Sequence, residues 1–171
     1  MLLAIISDTH LPRGSRRLPG ECVERLRAAD LILHAGDFVA RSVLAELERL
    51  GPPIVAVHGN VDSGELCRLL PGDRVVEAGG ARIGMVHDAG PARGRIERLR
   101  RRFPGCDAVV FGHSHIPLLE RAPDGLQIFN PGSPTDRRRQ PAHTMGIATA
   151  EDGRVRFELL QLGGDRTAAP L

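Results

Sequence analysis

Residues 2–10 read Leu2-Leu3-Ala4-Ile5-Ile6-Ser7-Asp8-Thr9-His10. An unbroken run of five apolar side chains suits a strand buried on both faces, and it stops at residues able to hold a cation or a proton. The same construction recurs along the chain. Leu31-Ile32-Leu33 runs into His34-Ala35-Gly36-Asp37, and Ile54-Val55-Ala56-Val57 into His58-Gly59-Asn60-Val61-Asp62. The strand from Ala81 ends in His87-Asp88, and Ala108-Val109-Val110-Phe111 in Gly112-His113-Ser114-His115. Ligand sites in open α/β sheets form beyond the carboxyl ends of the strands. Five strand ends therefore direct His, Asp and Asn to one edge.

The segments between these runs complete the outline. Pro19-Gly20-Glu21 opens a helix through Ala29, and Arg41 to Leu50 forms another, closed by Gly51-Pro52. The first third is thus β-α-β-α-β, with parallel strands and right-handed crossovers. Arg74 to Glu77 and Ala81 to His87, around Gly79-Gly80, read as an antiparallel hairpin. Ile96 to Phe103 is an Arg-rich helix ended by Pro104-Gly105. Two more hairpins follow, Leu118–Arg121 with Leu126–Phe129 and Thr144–Thr149 with Val155–Leu160, before a frayed tail from Gly163. Without repeats or a linker, residues 1–171 are expected to form one mixed α/β domain.

Composition narrows the function. All 23 basic side chains are Arg, which excludes Schiff-base and Walker-lysine chemistry. The 21 acids leave a net charge of only +2, and the aromatics are five Phe, so no stable nucleic-acid binding is expected. Cys22, Cys67 and Cys106 form no CxxC pair, which argues against a disulfide framework or a thiolate zinc site. The first apolar run reaches Asp8 too soon for a signal-peptide core, and no stretch approaches a membrane span. A cytoplasmic protein is expected, with no membrane partner and with homo-oligomerisation left open.

Asp8 with His10, and His113 with His115, are two residues apart, so in extended backbone each pair would point to one side. Gly36, Gly59 and Gly112 each precede such a residue, where a crowded site needs close backbone approach.

In order, Asp-x-His, Gly-Asp, Gly-Asn-x-Asp, His and Gly-His-Ser-His resemble the calcineurin-like metallophosphoesterase superfamily. The short chain and Asn130-Pro131-Gly132-Ser133 resemble, more narrowly, the small bacterial and archaeal phosphodiesterase family that includes the retromer metallophosphoesterase-like subunit. The resemblance implies a four-layer αββα sandwich of mixed sheets and two divalent metal ions, Mn first, with Fe, Zn, Ni or Mg as alternatives. It implies that Asp8, His10 and His115 hold one metal, that Asn60, His87 and His113 hold the other, and that Asp37 bridges them. The implied activity is hydrolysis of phosphodiesters, or of small phosphomonoesters, by a metal-bridging hydroxide, with no catalytic side chain assigned. Asn60 and Arg138 are the expected substrate contacts.

The chain departs from the superfamily pattern twice. Val61 stands where many members carry a His that protonates the leaving group; the small-phosphodiesterase branch commonly lacks it too. Asp62 is the nearest replacement, or else it orients a ligating His. Asp88 follows His87 where Gly is usual; it either tunes substrate choice or repels a second phosphate charge.

Other polar residues carry plainer expectations. His34 and His58 are structural, His143 is a surface residue, and the Arg95–Arg102 face solvates a helix. Asn130–Ser133 is a turn packed beneath the site. Two rival functions remain. One is a non-catalytic interaction scaffold on the same fold, which retention of both His113 and His115 disfavours. The other is nucleic-acid processing, which the charge balance disfavours.

Overall fold

The computed structural model describes residues 1–14 and 16–163; the expected frayed tail beyond Gly163 lies outside them. Two five-stranded sheets face each other. The first has the order β10-β9-β1-β2-β3, built from β1 (Leu2–Ile6), β2 (Leu31–His34), β3 (Ile54–Ala56), β9 (His143–Glu151) and β10 (Arg154–Leu162). The second has the order β4-β5-β6-β8-β7, from β4 (Asp73–Ala78), β5 (Ala81–Val86), β6 (Ala108–Val110), β7 (Leu118–Arg121) and β8 (Gln127–Asn130). β1 runs parallel to β2, and β2 to β3; in the other sheet β5, β6 and β8 are parallel in turn.

Strand alternation explains the layering. Leu3 and Ile5 of β1 point between the sheets and meet Ile83, Met85, Val110 and Phe129 from the opposite sheet. Ala4 and Ile6, one residue out of phase, point the other way and are covered by helices α1 (Gly20–Ala28) and α2 (Arg41–Glu48), through Cys22, Leu26, Val43, Leu44 and Leu47. On the far side, Val109, Phe111 and Ile128 pack against Leu99 and Phe103, at helix α4 (Arg95–Arg102) and its end. Because β1 is buried on both faces, its sequence does not alternate. Each buried Leu or Ile contributes roughly 1.5–3 kcal/mol. The result is an αββα sandwich, as expected.

One element was not foreseen. The segment after Asp62, to which the sequence assigned no element, forms helix α3 (Gly64–Leu69), with Ser63 Oγ accepting the Leu66 N–H at 3.3 Å and Leu66 buried with α1 and α2. Ser63 followed by Gly64-Glu65 was a capping signal in the sequence. Six residues with one buried apolar position give no periodicity to detect.

Candidate metal centre

Parallel pairing puts the carboxyl ends of β1, β2 and β3 at one edge, and those of β5, β6 and β8 reach the same edge from the facing sheet. The two halves are stitched together across the sandwich: His87 Nδ1 donates to Ala35 O (2.7 Å), and the His113 N–H donates to the Asp8 carboxylate (3.0 and 3.1 Å).

All seven residues singled out by type fall into one closed ring of contacts. Asp8 Oδ1 lies 3.4 Å from His115 Nε2, which lies 3.1 Å from His10 Nε2. His10 Nε2 is 3.5 Å from Asp37 Oδ2, and Asp37 Oδ1 is 3.4 Å from His87 Nε2. His87 Nε2 is 3.1 Å from Asn60 Oδ1, which is 2.9 Å from His113 Nδ1, and the His113 backbone returns to Asp8. Asp37 touches both halves with different oxygens. Two subsets, Asp8-His10-His115 and Asp8-Asp37-His87, bring their ligand atoms within 4.8 Å of one another and could each hold a metal ion. Asp8 thus belongs to both groups. Five of the seven are buried, whereas Asn60 and His113 are exposed and mark the mouth.

The donor chemistry fits cations. His115 Nδ1 donates to Asp136 O (2.5 Å) and His87 Nδ1 to Ala35 O, so each neutral ring turns the Nε2 lone pair inward. Those lone pairs face carboxylate, amide-oxygen and imidazole acceptors. Lone pairs opposing lone pairs repel unless a proton or a cation lies between them.

Titration points the same way. Burial raises the Asp8 carboxyl above its usual range, the mark of a buried acid short of positive charge. For Asp37 burial also pushes upward, but the hydrogen bond and charge of His87 overcome it and hold the group at about 2. Burial lowers His87, but its Asp37 bond and the charges of Asp8 and Asp37 raise it, and the net direction is up. Without a cation these carboxylates favour a proton on the ring, which a metal would displace. Burial brings His10 down to about 4, leaving it neutral at physiological pH, as a metal ligand must be.

The local backbone differs from expectation. Asp8, His10, His113 and His115 do not lie in extended chain: their φ angles are +56°, +47°, +68° and +58°, and Asp37 has +63°. Side chains two apart converge here because each chain coils left-handedly. This costs of order 1 kcal/mol or more per residue and is tolerated best by Asp, Asn and His. Backbone bonds from Asp8 N to Gly36 O (2.9 Å) and from His10 N to Asp37 O (3.0 Å) hold that shape. The glycines act as foreseen. A Cβ on Gly59 would overlap Asp37 Oδ1, and one on Gly112 would strike Ser7 Oγ and lie 2.7 Å from Asp8 Oδ2.

Around the ring, Asp62 orients no histidine. Its Oδ2 accepts from Asp37 N (3.1 Å) and Gly59 N (2.7 Å), and its Oδ1 from Val39 N (2.6 Å), which clamps the β2 and β3 loops together. The Asn130–Ser133 turn buttresses the site. Asn130 Nδ2 donates to Gly112 O (2.9 Å), Ser133 Oγ to Asp8 O (2.8 Å), and Thr135 Oγ1 to Thr9 O (2.5 Å). Thr135 and Asp136 are contributors that residue type alone did not reveal. His34 is wholly buried, stacks on Phe38 at 3.5 Å and accepts the Gly36 N–H; burial holds it neutral, far below its usual value. Asp88 is exposed and accepts the Gly90 N–H at 2.7 Å. Arg138 is exposed with φ +49°. No helix among the described residues is long and apolar enough to cross a membrane.

Residues 1–153 match the calcineurin-like phosphoesterase superfamily domain. A probable metallophosphoesterase of Methanothermobacter thermautotrophicus is 34% identical, aligned over 100% of this chain and 95% of its own. A phosphodiesterase of Methanocaldococcus jannaschii is 30% identical over 77% of this chain and 83% of its own. Among solved structures, Vps29 of Entamoeba histolytica superposes with a TM-score of 0.76 at 22% identity, covering 95% of this chain and all of the other. An archaeal phosphodiesterase superposes with 0.72 at 26% identity, covering 94% and 100%.

Proposed function

The chain belongs to the calcineurin-like phosphoesterase superfamily, and from that premise we propose that it is a two-metal phosphodiesterase. Asp8, His10 and His115 are assigned to one divalent cation, Asn60, His87 and His113 to the other, and Asp37 to both. The carrying observation is the closed ring, in which Asp37 offers one oxygen to His10 and the other to His87. Mixed imidazole and oxygen donors without thiolate suit Mn, Fe, Zn or Ni better than Mg, and Mn is the first metal to test.

When bound, such a pair of ions acidifies water and withdraws charge from phosphate oxygens. The protein's own residues do the rest. Asp37 would be a ligand to both ions and Asp8 to one of them. Ala35 O and Asp136 O fix the tautomers of His87 and His115. Asn60 commits Oδ1 to the ring and keeps Nδ2 as a donor for a substrate oxygen at the exposed mouth. No side chain is assigned to protonate the leaving group. Val61 has no proton to give, and Asp62 is held as an acceptor of three N–H bonds. A missing general acid forfeits about 10²–10⁴ in rate unless the leaving group is stable as an anion. Aryl and other low-pKa leaving groups should therefore be cleaved fastest.

The direct test is hydrolysis of bis(p-nitrophenyl) phosphate with added Mn. Turnover should appear with metal and vanish in Asp37→Ala and His115→Ala. A fully metal-loaded protein without turnover would overturn the proposal and favour the alternative, a non-catalytic interaction scaffold on the same fold.

A further inference from the structure

We propose that two arginine-bearing loops beside the metal centre form a second anion subsite, so that the preferred ester carries another phosphate on the same molecule. This rests on the phosphodiesterase reading above and names its substrate class. The loops carry Arg13, Arg16 and Arg17, which follow His10, and residues 136–139, which follow the buttress. They are remote in sequence and adjacent in space: Arg16 Nη2 pairs with Asp136 Oδ2 at 3.0 Å, and Thr135 Oγ1 donates to Thr9 O. Both loops touch the ring. Arg13 N donates to His10 O (3.1 Å), and Asp136 O accepts from His115 Nδ1.

The local charge is lopsided. Arg13, Arg16, Arg17, Arg137, Arg138 and Arg139 share these loops with a single acid, Asp136, although acids nearly balance bases over the whole chain. Among the described residues, Arg16 is the only one of the six with a carboxylate partner within ion-pair distance.

A solvated charge run would need no backbone strain, and strain is present. Arg138 is held at φ +49°, a left-handed conformation that an arginine adopts rarely and at a cost. With the scissile phosphate at the ring, the excess positive charge of these loops would draw a second anionic group towards the arginines.

The test compares two esters with the same leaving group: thymidine 5′-(p-nitrophenyl phosphate), and the same compound with a 3′-phosphate. The Mn-loaded protein should prefer the second by about tenfold in kcat/KM at low salt, the scale of a few partly exposed ion pairs. That preference should shrink between about 0.01 and about 1 M ionic strength, as the Debye length falls from about 30 to about 3 Å. Arg17→Gln combined with Arg138→Gln and Arg139→Gln should bring the ratio close to one, whereas Arg27→Gln on α1 should leave it unchanged. Calorimetry with thymidine 5′-monophosphate and thymidine 3′,5′-bisphosphate reads the subsite without turnover, and tighter binding of the bisphosphate is expected. Equal handling of the two esters and equal binding of the two nucleotides would overturn the subsite. Failure to cleave either ester, with the bisphosphate still preferred in binding, would sink the hydrolase reading and leave the subsite standing.

Discussion

Replacing Gly59 by alanine should disable the metal centre while leaving the fold intact. The added methyl would overlap Asp37 Oδ1 and stand 2.5 Å from Asp37 N, where side-chain carbons in real proteins keep at least 3.0 Å. Asp37 must therefore move by about 0.5 Å or more at the backbone, and further at its carboxylate. Its two anchors, from Val61 N to Oδ1 (3.0 Å) and from its own N–H to Asp62 Oδ2 (3.1 Å), resist that shift and would be strained with it. Overpacking of this kind costs about 1–3 kcal/mol in stability. A misplacement near 1 Å of a group that positions the reacting atoms costs about 100-fold in rate. The assay is metal content and turnover of bis(p-nitrophenyl) phosphate by purified Gly59→Ala, beside Gly20→Ala, whose Cβ meets nothing within 4 Å at the start of α1. Gly20→Ala should match the parent. A folded Gly59→Ala protein with full metal content and parental activity would refute the packing argument.

Three further expectations follow from other parts of the site. Asp62→Asn places an amide where three N–H groups now donate, and should cost about 2–3 kcal/mol in denaturant unfolding while weakening metal uptake; unchanged stability would contradict the clamp. His34 is neutral in the fold, with burial holding its pKa far below the usual 6.5, so the unfolded chain takes up a proton that the folded chain refuses. Its contribution to stability is full above about 6.5 and falls by about 1.4 kcal/mol per pH unit below that, towards the folded pKa. His34→Gln should flatten the stability–pH curve by about one proton between pH ~6 and ~5; an unaltered slope would count against a neutral His34. Metal removal exposes the mutual repulsion of the inward-facing acceptors. Saturating Mn at about 100 times its Kd should add about 2.7 kcal/mol, raising Tm by about 5–10 °C, and chelation should reverse it. A metal-independent Tm would indicate that no ion is held.

The strands were legible because β1, β2 and β6 are buried on both faces and announce themselves as apolar runs. The seven ring residues were legible because each sits at a strand end that the parallel topology must bring to one edge. Local shape was less so. Spacing by two suggested extended chain at Asp8–His10 and His113–His115, yet left-handed turns place those side chains: the carbonyls of Gly36 and Asp37 capture the Asp8 and His10 N–H groups, and the Asp8 carboxylate captures that of His113. Asp62 could not be read as a backbone clamp, since its partners belong to two loops that only meet in the fold. The adjacency of Arg16 and Asp136 spans 120 residues and follows from the Thr9–Thr135 contact, which no local pattern encodes.

The claim on which the rest depends is that Asp37 serves two cations at once. Anomalous diffraction from a Mn-loaded crystal, collected at the Mn edge, tests it directly. Two peaks about 3.5–4 Å apart are expected, one on each side of the Asp37 carboxylate, the first against Asp8, His10 and His115 and the second against Asn60, His87 and His113. A single peak, or density away from Asp37, would contradict it.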